Sequence, residues 1–310
     1  MRNTFIKTLY ELAKDDDSIY VVAGDAGFGV FEAFRGTWPN RFINSGIAEA
    51  NMIGYSAGMA MAGFNVFVYN IIPFLLYRCY EQVKNDICYQ HLPVTLIGTG
   101  AGLTYAPGGM THYSVEDLGI CATLPNLTVI SPIDPVETAA AVRYATASES
   151  PVYIRLAKSG EPVIRQDMCA DILKPAVIRE GEDVVLLSYG TVFEEAIVAA
   201  EELKKLGVNL GLVSVPTLNP FPRDEIIELI KDFSLVITLE EQFSSTGLGM
   251  KITDLFVQEQ INAVLVKLAL PVCFIHKVNN QTGMRKYYGI DSKAVISATM
   301  ENINNSVKAG

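Results

Sequence analysis

Apolar residues along this chain fall in short runs that alternate with longer amphipathic stretches. The first residues open an amphipathic helix. Residues 19–23 (Ile-Tyr-Val-Val-Ala) are an apolar run closed by Gly24, the pattern of a buried strand. The Ala-, Met- and Gly-rich segment 48–62 predicts a helix ended by Gly63, and 65–69 predicts a strand. Residues 73–90 carry helical spacing with Pro73 in the first turn. Strands are predicted at 94–98, 127–130 and 152–156, with helices at 114–123 and from Asp134-Pro135 to about 147. Residues 158–174 mix Gly160, Pro162, charges and short apolar pieces, which suits a linker. The rhythm then restarts, with strands at 184–188, 210–215, 235–239 and 263–268. Helices follow at 193–206, 223–231, 247–260 and 292–302, and the polar tail 302–310 is expected to fray. Alternation of this kind predicts an α/β fold of mainly parallel sheets covered on both faces. It places two three-layer domains at 1–165 and 175–310, with no internal repeat of solenoid period.

Composition narrows the function. The chain has 310 residues, enough for about two domains. Half are hydrophobic and 19% charged, a globular composition. Acidic residues outnumber basic ones 34 to 24, a net charge of −10, which argues against a general nucleic-acid binder. The five cysteines (Cys79, Cys88, Cys121, Cys169 and Cys273) are odd in number and form no CxxC pair, so neither a disulfide framework nor a structural zinc site is expected. The apolar stretch 54–72 is broken by Gly58, Gly63, Asn65 and Asn70 and is too polar for lipid, and the N-terminus lacks a signal-peptide core. A cytoplasmic protein without a membrane or nucleic-acid partner is the expectation.

Three segments invite chemistry. Gly98-Thr-Gly100-Ala-Gly102 follows a strand as a dinucleotide loop would, but no helix opens after it, and a loop needing positive φ accounts for it. Gly24-Asp25-Ala26-Gly27, with Asn51 downstream, hints at a magnesium–diphosphate motif in which a carboxylate and an amide supply hard oxygen ligands. The second glycine is replaced by Ala26 and Asn51 falls inside a predicted helix, so Asp25 also reads as a strand-end carboxylate capping a turn. In Ser45-Gly46-Ile47-Ala48-Glu49-Ala50-Asn51, Glu49 sits in a first helical turn, where the helix dipole favours a carboxylate.

Taken in order, several segments resemble the C-terminal half of the transketolase family. They are Gly46-Ile-Ala-Glu49-Ala-Asn-Met, Pro73-Phe-Leu-Leu-Tyr77-Arg78, Glu81-Gln82-Val-Lys-Asn85-Asp86-Ile, Thr111-His112-Tyr-Ser-Val-Glu116-Asp117 and Leu124-Pro125-Asn126 with Pro132-Ile-Asp134. The second half resembles that family's C-terminal domain through Ser188-Tyr-Gly190-Thr191, Glu194, Ala196, Leu239-Glu240-Glu241, Gly247 and Gly249. The resemblance implies a pyrimidine-binding domain for thiamine diphosphate. Glu49 matches the glutamate that hydrogen-bonds the pyrimidine N1′, where a carboxyl in a partly apolar pocket shares a proton and favours the tautomer that takes up the thiazolium C2 proton. Phe74 matches the aromatic stacked on the pyrimidine, although alone it reads as a core residue. Tyr77, at i+3, matches a second wall. His112 matches a histidine facing the substrate, suited to proton transfer near neutral pH. Asp25 is kept as a cofactor-side candidate. Arg78 and Gln82 read as an exposed polar face, and His91 and His276 match nothing.

The resemblance also implies an absent half. The family holds the diphosphate through Mg2+ (or Ca2+) in a preceding domain, so the expected partner is a separate N-terminal-half subunit and the natural assembly is α2β2. Substrate positions depart from the family pattern. Gly100-Ala101 replaces a His-led pair, Pro107-Gly108-Gly109 replaces Glu-Asp-Gly, and Lys158 replaces a sugar-phosphate-binding arginine, keeping the charge without the bidentate fork. The expected activity is transfer of a two-carbon ketol unit from a ketose to an aldehyde, on sugar or sugar-phosphate substrates. Two alternatives stand beside it: the beta chain of a 2-oxo acid dehydrogenase-like or acyl-transferring enzyme, and a non-catalytic regulatory paralogue.

Overall fold

The structure, a computed structural model, describes residues 1–27, 29–158 and 160–306. Two sheets organise it. In chain order the strands are β1 (Ile19–Ala23), β2 (Phe42–Asn44), β3 (Asn65–Ile71), β4 (Val94–Thr99), β5 (Thr128–Ile130), β6 (Val152–Leu156), β7 (Ala176–Arg179), β8 (Val184–Ser188), β9 (Leu210–Ser214), β10 (Thr217–Asn219), β11 (Leu235–Phe243) and β12 (Val264–Leu270). The first sheet runs β10-β5-β6-β4-β3-β1-β2 and the second β12-β11-β8-β9-β7. Pairing is parallel except at β10–β5 and β7–β9. The expected α/β class with mainly parallel sheets is the observed one.

The central strands are near-continuous apolar runs because helices cover both faces. β4, β6 and β8 are buried at every position. On one face of the first sheet, Phe5 and Leu9 of the helix Arg2–Leu12 pack with Val21, Phe67, Ile97, Ile154 and Ala141. The core on its other face runs without a break into the second sheet, joining Leu96, Leu118 and Tyr153 to Val185, Leu187 and Val213. Helix starts follow local chemistry. Asp134 Oδ1 accepts from the Glu137 backbone N–H at 2.9 Å with Pro135 next in line, as the sequence predicts.

Several elements differ from expectation. The predicted helix 73–90 is three pieces: wide i→i+5 turns at Pro73–Tyr77 and Val83–Cys88 flank a short α-turn at Tyr80–Gln82. The predicted helix 114–123 shrinks to Asp117–Cys121. β11 continues four residues past Leu239, and the last helix runs Ser292–Ser306 rather than ending at 302; the final four residues lie outside the described residues. The linker 158–174 is pinned where Ile164 and Arg165 backbone N–H groups donate to Asp134 Oδ2 at 2.9 and 2.8 Å. β10, from the half expected to form the second domain, joins the edge of the first sheet: Thr217 pairs with Ile130, and Ser131 N–H donates to Pro216 O at 2.7 Å.

One buried carboxyl in this frame carries a pH-dependent prediction. Glu137 is fully buried, accepting from Ile133 N–H at 2.9 Å and from the Ser214 hydroxyl at 2.8 Å. Burial pushes it up to about 7 from an ordinary 4.5, against those two hydrogen bonds. The folded state therefore holds a proton that the unfolded chain releases, and stability falls as pH rises from about 4.5 through about 7. Glu137→Gln keeps the shape, and its NH2 can donate to the Ser214 oxygen. Relative to the parent, the variant should gain about 3 kcal/mol in urea unfolding between pH 5 and 8. A stability difference that stays flat across this range would remove the shifted group.

Candidate active site

The C-terminal ends of the parallel strands gather on one rim of the first sheet, where open α/β sheets bind ligands. Asp25 follows β1, Glu49 follows β2, the Pro73–Tyr77 turn follows β3, the loop bearing His112 follows β4, and Lys158 follows β6.

Glu49 begins the helix Glu49–Met61 and is 6% exposed. Its Oε1 meets the Arg78 guanidinium at 2.8 Å, and Arg78 is itself half exposed. The wide Pro73–Tyr77 turn, with Arg78 N–H donating to Pro73 O, explains how Arg78 arrives there. An i→i+5 turn brings i and i+4 closer to one line than i and i+3. Arg78 accordingly lies over the Phe74 ring, 4.6 Å from its centroid. The edge contact of Phe74 is with His112, at 5.7 Å between centroids and 74° between planes. Glu49, Arg78, Phe74 and His112 thus form one connected group.

His112 is partly buried at the end of the Ala106–Thr111 turn, its Nδ1 2.7 Å from the Thr111 hydroxyl. With Nδ1 so engaged, Nε2 is the nitrogen left for a ligand. Gly108 permits this fold-back: a Cβ there would sit 2.9 Å from the His112 Cβ and Cγ. Cys79 lies against the same turn, its Sγ donating to Phe74 O at 3.3 Å, and burial with the nearby Glu49 charge pushes its thiol up to about 11.

Other expected residues stand apart. Tyr77, expected as a second wall beside Phe74, donates its hydroxyl to Glu116 Oε2 at 3.0 Å. Burial, then the Asp117 and Glu116 carboxylates, drive that phenol far above its ordinary range. Asp25 is exposed; its backbone N–H donates to Gly46 O at 3.1 Å, and its carboxylate holds no partner among the described residues. Asn51 is exposed on its helix. Among the described residues no group of three His, Cys, Asp or Glu side chains is arranged to hold a metal ion. Lys158 is exposed and lines a cleft of about 400 Å3 with Thr104, Pro107, Glu161, Glu194 and Gln281, where the two sheets' rims meet. Sequence reasoning leaves Arg78 without a role. Its place in the Pro73–Arg78 motif and its i+4 spacing from Phe74, which puts the two side chains on one face of a helical turn, are its signals.

The fit to an aminopyrimidine is good on these observations. A nearly buried carboxylate is satisfied by a half-exposed cation that water can take back, and an aromatic ring stands beside it with its edge on an imidazole.

Two family models divide the chain. The transketolase pyrimidine-binding domain matches residues 1–162 and the transketolase C-terminal domain matches 174–295. The chain is 32% identical over 305 residues, 97% of its length and 94% of the relative's, to the 6-deoxy-6-sulfo-D-fructose transketolase subunit SqwH of Clostridium sp. (strain MSTE9). It is 30% identical over 285 residues, 92% of each chain, to an apulose-4-phosphate transketolase subunit of Actinobacillus succinogenes. A solved structure described as a split gene transketolase, inactive beta4 tetramer, superposes with a TM-score of 0.85 at 30% identity, over 97% of this chain and 96% of that one. The chain belongs to the transketolase family, and it spans nearly the whole of relatives named as transketolase subunits. No helix among the described residues is long and apolar enough to cross a membrane.

Proposed function

We propose that this chain is one subunit of a cytoplasmic, thiamine-diphosphate-dependent transketolase that moves a two-carbon ketol unit from a ketose donor to an aldehyde acceptor. Residues 1–165 supply the pyrimidine-binding domain and 175–310 the C-terminal domain. A separate subunit holds the diphosphate and its magnesium, and two copies of each chain form the α2β2 enzyme. The observation that carries this reading is the connected group of Glu49, Arg78, Phe74 and His112 at the strand-end rim.

When bound, the cofactor supplies the carbon nucleophile and electron sink that amino acids lack. Glu49 would hold a proton at the pyrimidine N1′, and Arg78, half exposed, balances its charge when the site is free. Phe74 packs against that ring and excludes water from it. His112 Nε2 gives and takes the proton at the substrate oxygen, with Thr111 fixing the imidazole through Nδ1. Tyr77 secures Glu116 and the segment after His112. Asp25 stands at the same rim, tied to the loop that leads into Glu49, and is kept as a cofactor-side residue. Lys158 faces the far end of the substrate across a cleft it shares with Glu161 and Glu194. One relative is named for a sulfonated sugar and another for a phosphorylated one.

Calorimetry tests the split site directly. Thiamine diphosphate with magnesium should bind tightly to this chain mixed with its partner and weakly to this chain alone. Tight binding by the chain alone would overturn the split arrangement and return Asp25 and Asn51 as metal ligands. Absence of binding by the assembled pair would overturn the cofactor reading itself.

A further inference from the structure

The loop that carries His112 is closed at its base. Ser114 N–H donates to Gly102 O at 2.9 Å, so residues 102–114 leave and re-enter the fold at one point. Three consecutive residues at the end of β11, in the second sheet, grip that point. Glu241 Oε2 accepts from the Leu103 backbone N–H at 3.0 Å, on the outgoing stem. Gln242 Oε1 accepts from Arg155 Nη2 at 3.4 Å, and the same nitrogen donates to Ser114 O at 2.8 Å, on the returning stem. The Phe243 N–H donates to Val115 O at 3.3 Å. Nearby, the Tyr113 hydroxyl donates to Ile275 O at 2.9 Å, adding a further tie from the second half.

Glu241 is the centre of this grip. It is 4% exposed, and besides Leu103 it accepts from Arg285 Nε at 2.5 Å and Gln281 Nε2 at 3.1 Å. The loop is shaped to it: Gly102 has φ +57°, and a Cβ there would strike the Glu241 carboxylate. A side chain so bound has one position, and the Leu103 amide that it holds is nine residues from His112.

We propose that Glu241 is a positioning residue for His112, so that the second domain sets the geometry of the substrate loop. The consequence for catalysis rests on the reading of His112 given above. Loosening the stem moves the imidazole relative to Phe74 and to the substrate, without touching the pyrimidine pocket at Glu49.

The chain's three histidines make the test direct. Imidazole proton resonances of the intact chain, assigned with His91→Gln and His276→Gln variants, report His112 separately from His276 and from His91, which bonds Asn126 and Ser150. Glu241→Gln should shift and broaden the His112 resonance while leaving His91 in place. In the assembled enzyme, kcat/KM for the donor should fall about 10²-fold, the order expected when remote mutation displaces a catalytic group by about 1 Å, with cofactor affinity unchanged. Glu240→Gln is the control for a purely structural effect. Glu240 is fully buried and accepts from the Tyr189 hydroxyl and the Leu248 and Gly249 N–H groups, all within the second half. It should lower stability and leave His112 where it is. Should Glu241→Gln fail to fold, Glu241→Asp keeps the charge opposite Arg285, draws the oxygen back from Leu103, and should give the same shift. An unmoved His112 resonance in a folded Glu241 variant, or an equal shift in Glu240→Gln, overturns the inference. A moved resonance with unchanged turnover keeps the positioning and overturns the role of His112 in the reaction.

Discussion

Glu49→Gln should cost the assembled enzyme about 10² to 10⁴ in kcat, the range in which a positioned acid–base group contributes. The substitution preserves shape and one acceptor oxygen and removes the charge. Its effect on the fold should be small, because the pair it breaks has a half-exposed arginine that returns to water, and such pairs contribute about 0–1 kcal/mol. Turnover and stability should therefore separate: a large loss in kcat, a donor KM close to the parent's, and an unfolding midpoint almost unmoved. Steady-state kinetics and urea unfolding on the same preparation measure both. Full turnover in this variant would return the chain to the non-catalytic reading; a collapse in stability would make Glu49 a structural residue.

Asp117→Ala should be the most destabilising single change at this end of the fold, by about 3–5 kcal/mol, the cost of leaving a buried charge without its partner. Asp117 and Arg155 are both buried, joined by Arg155 Nε at 2.7 Å and Nη2 at 3.2 Å, with the Tyr153 hydroxyl donating to the same carboxylate at 2.8 Å. Burial pulls the Arg155 guanidinium down, and the Asp117 charge and hydrogen bond outweigh it, so the group is held above its ordinary value. Arginine does not escape by deprotonating. Removal of Asp117 therefore strands a cation inside the core, whereas Tyr153→Phe removes one hydrogen bond and should cost only about 1 kcal/mol. Denaturant midpoints of the two variants, compared with the parent, decide the matter. Near-equal midpoints would mean that water reaches Arg155.

The contrast between these two carboxylates shows what the sequence makes legible. Both lie in short motifs readable in one dimension, and β1, β3, β4, β6 and β8 are readable because β-branched runs buried on both faces have no other good use. β2, β7 and β10 escape such a reading because three or four residues of edge strand carry no period. The wide turns after Pro73 are illegible for a different reason: i→i+5 and i→i+4 turns accept the same residues, and only the packing of Phe74 and Arg78 chooses between them. The extension of β11 runs through Glu240, Glu241 and Gln242, residues that pattern reading assigns to solvent. They are buried because each finds backbone or arginine partners, 138 residues away in the chain for Glu241 and Leu103. Phe74 and His112 can be named from ordered motifs, and their ring contact is a fact of the fold. Arg78 and Thr111, which complete that group, need coordinates.

β10 has a consequence for how the two halves are inherited and handled. A strand drawn from beyond residue 200 closes the edge of a sheet built from the first 160, and one apolar core runs beneath both. The peptide between the halves can be cut without separating them, but neither half is complete when made alone. The first would present β5 as a bare edge, with Val129 and Ile130 open to any chain that offers a strand. A cut made at the level of the gene would therefore yield sticky fragments rather than interchangeable modules.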